Sequence, residues 1–452
     1  MASAAEQLFA NLNFDSFNKA TELKKRIWFT LGALVIFRLG TFIPIPGVDL
    51  VNYAKAFGNA QGGFLGIFNM FSGGAAARMA IFTLGIMPYI STSIILQLLT
   101  SVSPQLEAIK KEGEAGRKKI NQYTRYGTVG LCALQAYGTA IGLESQNLAV
   151  DPGWFFRATT VITLVGGTVF LMWLGEQITA RGVGNGISLI IFAGIAASIP
   201  TAYVQLMELG SKGSVSWGWV PGVLVLSVLV IAFIVFMERA QRRLLVQYPK
   251  RQQGNKMFQG DSSHLPLKLN TAGVIPPIFA SSLLLLPATF ASFAANRAGG
   301  GWDWLNWLNA ELARGSLLHI ALYIALIVFF CFFYTAVVFN TKETADNLKK
   351  YGGFIQGIRP GERTASYLDY VLSRITVIGA AYLSLVCVLP EILTSNVGIP
   401  IYLGGTSLLI AVSVTMDTIS QIQSHLLAHQ YEGLIKKSKL RGGSSALTGR
   451  KR

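Results

Sequence analysis

Long runs of apolar residues, separated by polar gaps, recur along the whole chain. A helix needs ~20 mostly apolar residues to cross a bilayer. That criterion predicts ten spans, near 27–43, 77–99, 122–143, 156–175, 187–206, 218–237, 271–293, 317–339, 375–393 and 400–422. The pattern is that of an all-α polytopic membrane protein. Five spans precede the 207–217 gap and five follow it, so two halves, 27–206 and 218–422, are expected between tails 1–26 and 423–452. The first tail is polar and carries Glu6, Asp15 and Glu22, unlike a signal peptide.

Two gaps, 238–270 and 340–374, exceed the ~12–15 residues beyond which a loop is usually functional or disordered. Helix formers from Lys342 to Tyr351 and the apolar pair Phe354-Ile355 predict ordered protrusions. Gly442-Gly443-Ser444-Ser445 predicts an irregular end.

Residues 64–74, flanked by Gly62-Gly63 and closed by Gly73-Gly74, are apolar but too short to cross. They fit either an interfacial helix or a re-entrant piece lining a cavity, since irregular backbone at membrane depth needs protein or water around it. Span 2 is unusually polar, with Pro88, Ser91, Thr92, Ser93 and Gln97. Such residues fit either ordinary helix packing or a surface facing a cavity or gate. Ile86 and Ile90, and Ile187 and Ile191, are four apart, so each pair stacks on one helix face. Pro276 and Pro277 are expected to deform the first turns of span 7.

Charge changes the picture from a stack of spans to an oriented one. Only 13% of residues are charged, against about 25% in soluble domains. Of 38 Lys and Arg residues, 31 fall in the tails and at every second gap. The opposite gaps hold only Lys55, Arg78, Arg157, Lys212, Arg297 and Arg314, while Arg38 lies within span 1. The positive-inside rule then puts both termini in the cytoplasm. A net charge of +16 also fits a polyanionic partner or anionic lipid.

Catalytic and metal chemistry is missing from the pattern. Cys132, Cys331 and Cys387 sit far apart inside apolar runs and read as packed thiols. No zinc-protease or phosphate-loop motif occurs, and Gly182-Val-Gly-Asn-Gly186 reads as a turn opening span 5. Arg38, Glu391 and Asp417 are the few ionisable groups within spans, fewer than an ion-coupled path uses. A non-enzymatic conduit without cofactor or metal is the expectation, and a small-solute transporter with internal pseudo-symmetry is the alternative.

Several motifs are specific: Phe68-Asn-Met-Phe-Ser-Gly-Gly74, Leu84-Gly-Ile-Met-Pro-Tyr-Ile-Ser91, Ile109-Lys-Lys-Glu-Gly-Glu114, Trp173-Leu-Gly-Glu-Gln-Ile178, Gly184-Asn-Gly-Ile-Ser188, His264-Leu-Pro-Leu-Lys268, Gly357-Ile-Arg-Pro-Gly361 and Gly404-Gly-Thr-Ser-Leu-Leu409. Together, from about residue 20 to 440, the chain closely resembles the bacterial SecY family of protein-translocase channels. The resemblance implies two pseudo-symmetric halves of five helices, hinged at 207–217, around a central pore. It implies a pore ring of Ile86, Ile90, Ile187, Ile191, Ile278 and Ile410. It makes 64–74 a plug (Phe64, Leu65, Ile67, Phe68, Asn69, Met70, Phe71) and places Ser91, Thr92, Gln97 and Leu286 at a lateral gate. Arg242, Arg243, Lys250, Arg251, Arg359, Pro360 and Gly361 become a docking surface for a motor or ribosome. The partners implied are the small membrane subunits SecE and SecG, the SecA motor ATPase, the ribosome, secretory precursors with their signal sequences, membrane lipid, and SecDF and YidC. The location implied is the bacterial inner membrane.

Overall fold

The computed structural model describes residues 21–60, 69–212, 219–248, 251–253, 256–258, 262–284, 311, 316–397 and 405–448. Its helices are α1 (Thr21–Gly40), α2 (Leu50–Ala60), α3 (Met87–Val102), α4 (Pro104–Lys111), α5 (Glu114–Ser145), α6 (Trp154–Arg181), α7 (Gly186–Ser211) and α8 (Trp219–Arg239). After a strand-bearing loop come α9 (Ile275–Leu284), α10 (Leu317–Val338), α11 (Thr341–Lys350), α12 (Glu362–Val397) and α13 (Gly405–Thr448). Each predicted span meets a helix, in the order α1, α3, α5, α6, α7, α8, α9, α10, α12 and α13. Among the described residues, α6, α7, α8, α12, and α10 read on through α11, are long and apolar enough to cross a membrane.

Two boundaries differ from expectation for one reason. Span 2 becomes helical only at Met87, with Pro88 in its first turn and turns over 81–86. The described helix of span 7 begins at Ile275, so Pro276 and Pro277 sit in its first turn. Proline lacks the N–H that a first turn leaves unbonded anyway, so it starts these helices rather than bending them. At the other end of the chain, α13 keeps helical backbone through Gly442–Ser445 to Thr448, where irregular structure was expected.

One large apolar cluster ties the helices together, with Phe37, Leu164, Ile178, Ile195, Ile327, Leu383 and Leu409 among its most buried members. Other large apolar side chains point outward, including Trp28, Val35 and Leu39 of α1 and Val228, Leu229 and Phe236 of α8. In water such a surface would drive association; lipid is its natural solvent. Close helix crossings supply the packing that a bilayer does not. Gly186 of α7 meets the Gly175 carbonyl of α6, and Gly405 of α13 meets the Val386 carbonyl of α12, with no room for a β carbon at either. Gly405→Val is therefore expected to lower the melting temperature of the detergent-solubilised protein, at an overpacking cost of about 1–3 kcal/mol. An unchanged Tm would mean that α12 and α13 separate freely.

The two long gaps on the basic face fold together. β1 (Gln241–Gln247) pairs antiparallel with β4 (Ser262–Lys268) on one side and with β5 (Phe354–Ile355) on the other. β2 (Arg251–Gln253) and β3 (Lys256–Phe258) form a separate antiparallel pair. Leu244 and Val246 of β1, Leu267, Ile355, and Leu368, Val371 and Ile375 of α12 make a second small core. Ile355→Ala removes a side chain from that core, a change that costs ~2–5 kcal/mol in well-packed sites. It is expected to speed trypsin cleavage within 241–268, a segment remote from it in sequence. Equal cleavage rates would show that the two loops are independent.

Candidate functional site

Six isoleucines come from four helices spread over the chain. Ile86 caps α3, and the Ile90 N–H donates to its carbonyl at 3.1 Å, which puts the two side chains one turn apart. Ile187 and Ile191 lie on the first turns of α7, whose start is fixed by Asn185 Oδ1 accepting from the Ile187 N–H at 3.2 Å. Ile278 lies on α9 and Ile410 on α13. Five of the six are buried, Ile187 is half-buried, and all join the same apolar cluster. Side chains of this kind offer passing groups no hydrogen bond, and a narrow gap between them expels water.

Beside them lies the interrupted segment. Phe64, Leu65, Ile67 and Phe68 are outside the described residues. Asn69 begins a helical turn, and Met70, Phe71 and Ser72 are buried. Asn69 Oδ1 accepts from the Ala77 N–H at 2.8 Å, and Ser72 Oγ from the Ala76 N–H at 3.2 Å. The backbone rests directly on α7: a β carbon at Gly194 would stand 2.7 Å from the Phe71 carbonyl oxygen. The described part is thus enclosed by protein, as a re-entrant piece requires and an interfacial helix does not.

Thr92 and Gln97 of α3 bond within their own helix. Ser91 and Thr92 are buried and Gln97 is half-buried. Thr92 Oγ1 donates to the Pro88 carbonyl at 2.8 Å, and the Thr92 methyl fills the space left by Gly127 of α5. Gln97 Nε2 donates to Ser93 Oγ at 3.4 Å. Leu286 is outside the described residues.

Contacts between side chains of different helices escape any sequence pattern. Arg125 of α5 donates from Nε and Nη2 to the carboxylate of Glu176 on α6, at 3.0 and 2.7 Å. Both side chains are well exposed, so the pair contributes little beyond alignment of the two helices. Glu391, the acid that sequence placed near a span end, lies on α12 with Oε1 2.9 Å from His319 Nδ1 on α10.

On the basic face, Arg242 and Arg243 are exposed on β1. Arg251 lies on β2, and Lys250 is outside the described residues. Arg359 and Pro360 are exposed, and Gly361 is buried. Gly357 (φ +82°) and Gly361 (φ +108°) take left-handed backbone on either side of Arg359, conformations that only glycine adopts cheaply. Between them, Ile358 packs on the small core and the Arg359 carbonyl accepts from Thr364 Oγ1 at 3.0 Å. The loop is therefore pinned on both sides of a guanidinium that has no ion-pair partner among the described residues. Cys132, Cys331 and Cys387 are free and buried, which bears out packed thiols.

The SecY family model matches residues 80–419. The chain belongs to the SecY family. Among its relatives, the protein translocase subunit SecY of Escherichia coli (strain K12) is 53% identical over 425 residues, covering 93% of this chain and 96% of the relative. The corresponding subunit of Pseudomonas aeruginosa is 54% identical over 427 residues, covering 94% and 96%. That of Rickettsia bellii is 53% identical over 436 residues, covering 95% and 100%. A solved SecY whose plug domain is described as stabilising the closed translocation channel shares the fold at a TM-score of 0.66 and 18% identity, over 89% of this chain and 92% of the other. Sec61 in a canine ribosome–channel complex does so at 0.58 and 17%, with the same coverage. At such identities the structures show the fold alone. This SecY-family chain is a multi-pass helical membrane protein.

Proposed function

We propose that this chain is the protein-conducting channel subunit of a translocase, passing unfolded secretory polypeptides across the membrane and releasing transmembrane segments sideways into lipid. The single observation that carries the mechanism is the gathering of six isoleucines, five of them buried and Ile187 half-buried, in one apolar cluster from α3, α7, α9 and α13. In this reading they form a ring around a central pore between halves 27–206 and 218–422, hinged at 207–217. At rest the ring excludes water and ions. A chain threading it meets yielding, branched side chains with no preference for sequence.

The segment ending at Asn69, Met70 and Phe71 closes the funnel on the other side of the ring. Ser91, Thr92, Gln97 and Leu286 belong to a gate seam, where a sufficiently apolar signal sequence binds the open state better and shifts the population toward it. The channel makes and breaks no covalent bond and takes its energy from a partner. Arg242, Arg243, Lys250, Arg251, Arg359, Pro360 and Gly361 form the docking surface for a SecA-type motor and for ribosomes. SecE- and SecG-type subunits, SecDF and YidC complete the assembly in a bacterial inner membrane, with both termini cytoplasmic. Basic side chains facing ribosomal RNA imply a salt-sensitive contact.

A cysteine at Ile191 tests the path. It is expected to crosslink to a precursor stalled in transit. A stalled precursor that crosslinks elsewhere on the channel but never at this position would sink the ring.

A further inference from the structure

A short link between β4 and α9 joins two separate cores. Leu267 and Leu269 pack with the small core of β1 and α12, while Val274, Ile275 and Ile278 pack with the large one. Antiparallel backbone bonding runs as far as the Leu269 N–H, which donates to the Ala240 carbonyl at 2.9 Å. Next comes Asn270, only 5% exposed. Its Nδ2 donates to Glu238 Oε1 in the last turn of α8 at 2.7 Å, and to the Gly273 carbonyl at 3.0 Å. Both partners are acceptors, so it is the amide nitrogen that has to face them. Glu238 makes no ion pair among the described residues.

The neighbours of Asn270 are anchored to other helices. A β carbon at Gly379 of α12 would stand 3.0 Å from the Leu269 carbonyl oxygen, so α12 closes directly over the link. Thr335 Oγ1 of α10 gives its hydrogen to the Cys331 carbonyl at 2.7 Å. In its 3.3 Å contact with Thr271 Oγ1, Thr271 is therefore the donor. Neither contact reaches α8. Gly273 then turns with φ +64°, and α9 opens two residues later. A left-handed glycine is a point where the backbone turns cheaply. The Asn270 amide spans that point, from the Glu238 carboxylate on one side to the Gly273 carbonyl on the other.

We propose that Asn270 is a positioning residue that braces the β1–β4 strands, the end of α8 and the start of α9 into one piece, through Glu238 and the Gly273 carbonyl. The proposal rests on the docking and pore-ring reading above. Ile278 lies five residues beyond Gly273, on the described part of α9. A load that a motor places on the strands therefore reaches Ile278 with no slack at the glycine. Without the amide the strands still dock the motor, but the turn at Gly273 absorbs the movement. Asn270 is buried, so it acts on the ring through α9 and not by touching the motor.

The test uses the complete channel complex in proteoliposomes and titrates the motor, so that the half-saturating motor concentration and the maximal export rate are read separately. Asn270→Leu keeps the size of the side chain and removes the donor. It is expected to lower the maximal rate about tenfold, the scale of one hydrogen bond to a charged group, with the half-saturating concentration unchanged. Glu238→Gln keeps an acceptor oxygen and is expected to retain most of the rate. If Asn270→Leu fails to assemble, Glu238→Met removes the acceptor instead and should give the same split. A variant that only loosens the docking strands would need more motor for half-saturation, and that result overturns the brace. A parental maximal rate in an assembled variant, with the parent's export dependent on the motor, also overturns it and leaves the docking reading standing. A parent whose export does not respond to the motor overturns both.

Discussion

Replacing Ile90 and Ile191 together by asparagine is expected to make the resting channel conduct ions. The two side chains are 8% and 6% exposed and belong to one cluster. An amide buried there without a partner costs ~1–3 kcal/mol. Amides in that cluster escape the cost by drawing in water, and a wetted cluster no longer bars ions. Every ~1.4 kcal/mol is a factor of ten in population, so conductance in planar bilayers should rise by one to two orders of magnitude. Ile90→Leu with Ile191→Val keeps the surface apolar and should stay at baseline. Unchanged conductance in the asparagine pair would show that the seal lies elsewhere.

Reversing one charge on the basic face is expected to do the opposite: leave the seal intact and stop transport. Arg359 is exposed, makes no ion pair among the described residues and sits in a loop pinned on both sides. Arg359→Glu should therefore leave the amount of protein in the membrane unchanged. Motor-driven export into vesicles should fall about tenfold or more, since an interfacial charge facing its own sign costs several kcal/mol. Arg359→Lys should be intermediate, because an ammonium keeps the charge and loses the planar fork. Full export by the glutamate variant would remove Arg359 from the docking surface.

What could be read from the chain depended on sequence distance. The ten spans were legible because lipid imposes a length and composition that every span must satisfy alone. The start of α7 was legible too, since Asn185 and Gly184 act within a few residues. The start of α3 was not, because apolar residues 79–86 look like more span until Pro88 is read as a helix opener. The β1–β5 pairing was hidden for another reason. Leu244 and Val246 alternate inward, but the exposed Leu245 between them blurs the period of two. Ile355, which pairs with Val246, lies far along the chain, beyond α9, α10 and α11. The Arg125–Glu176 and His319–Glu391 contacts were hidden likewise, since no local rule couples residues on different spans. Of the candidate site, the ring and the plug came from a family resemblance. Spacing alone singled out none of the six isoleucines; it showed only that Ile86 and Ile90, and Ile187 and Ile191, share a helix face.

The pinned loop that carries Arg359 runs straight into α12, which continues from Glu362 to Val397. At ~1.5 Å per residue that is a rod of about 54 Å, longer than a bilayer is thick. One end is clamped in the small core beside the Arg359 loop, and the other end carries Glu391, beside His319 of α10. If the proposed docking holds, a push on the loop that carries Arg359 has one continuous helix, with Pro390 in its last part, along which to reach the Glu391–His319 contact.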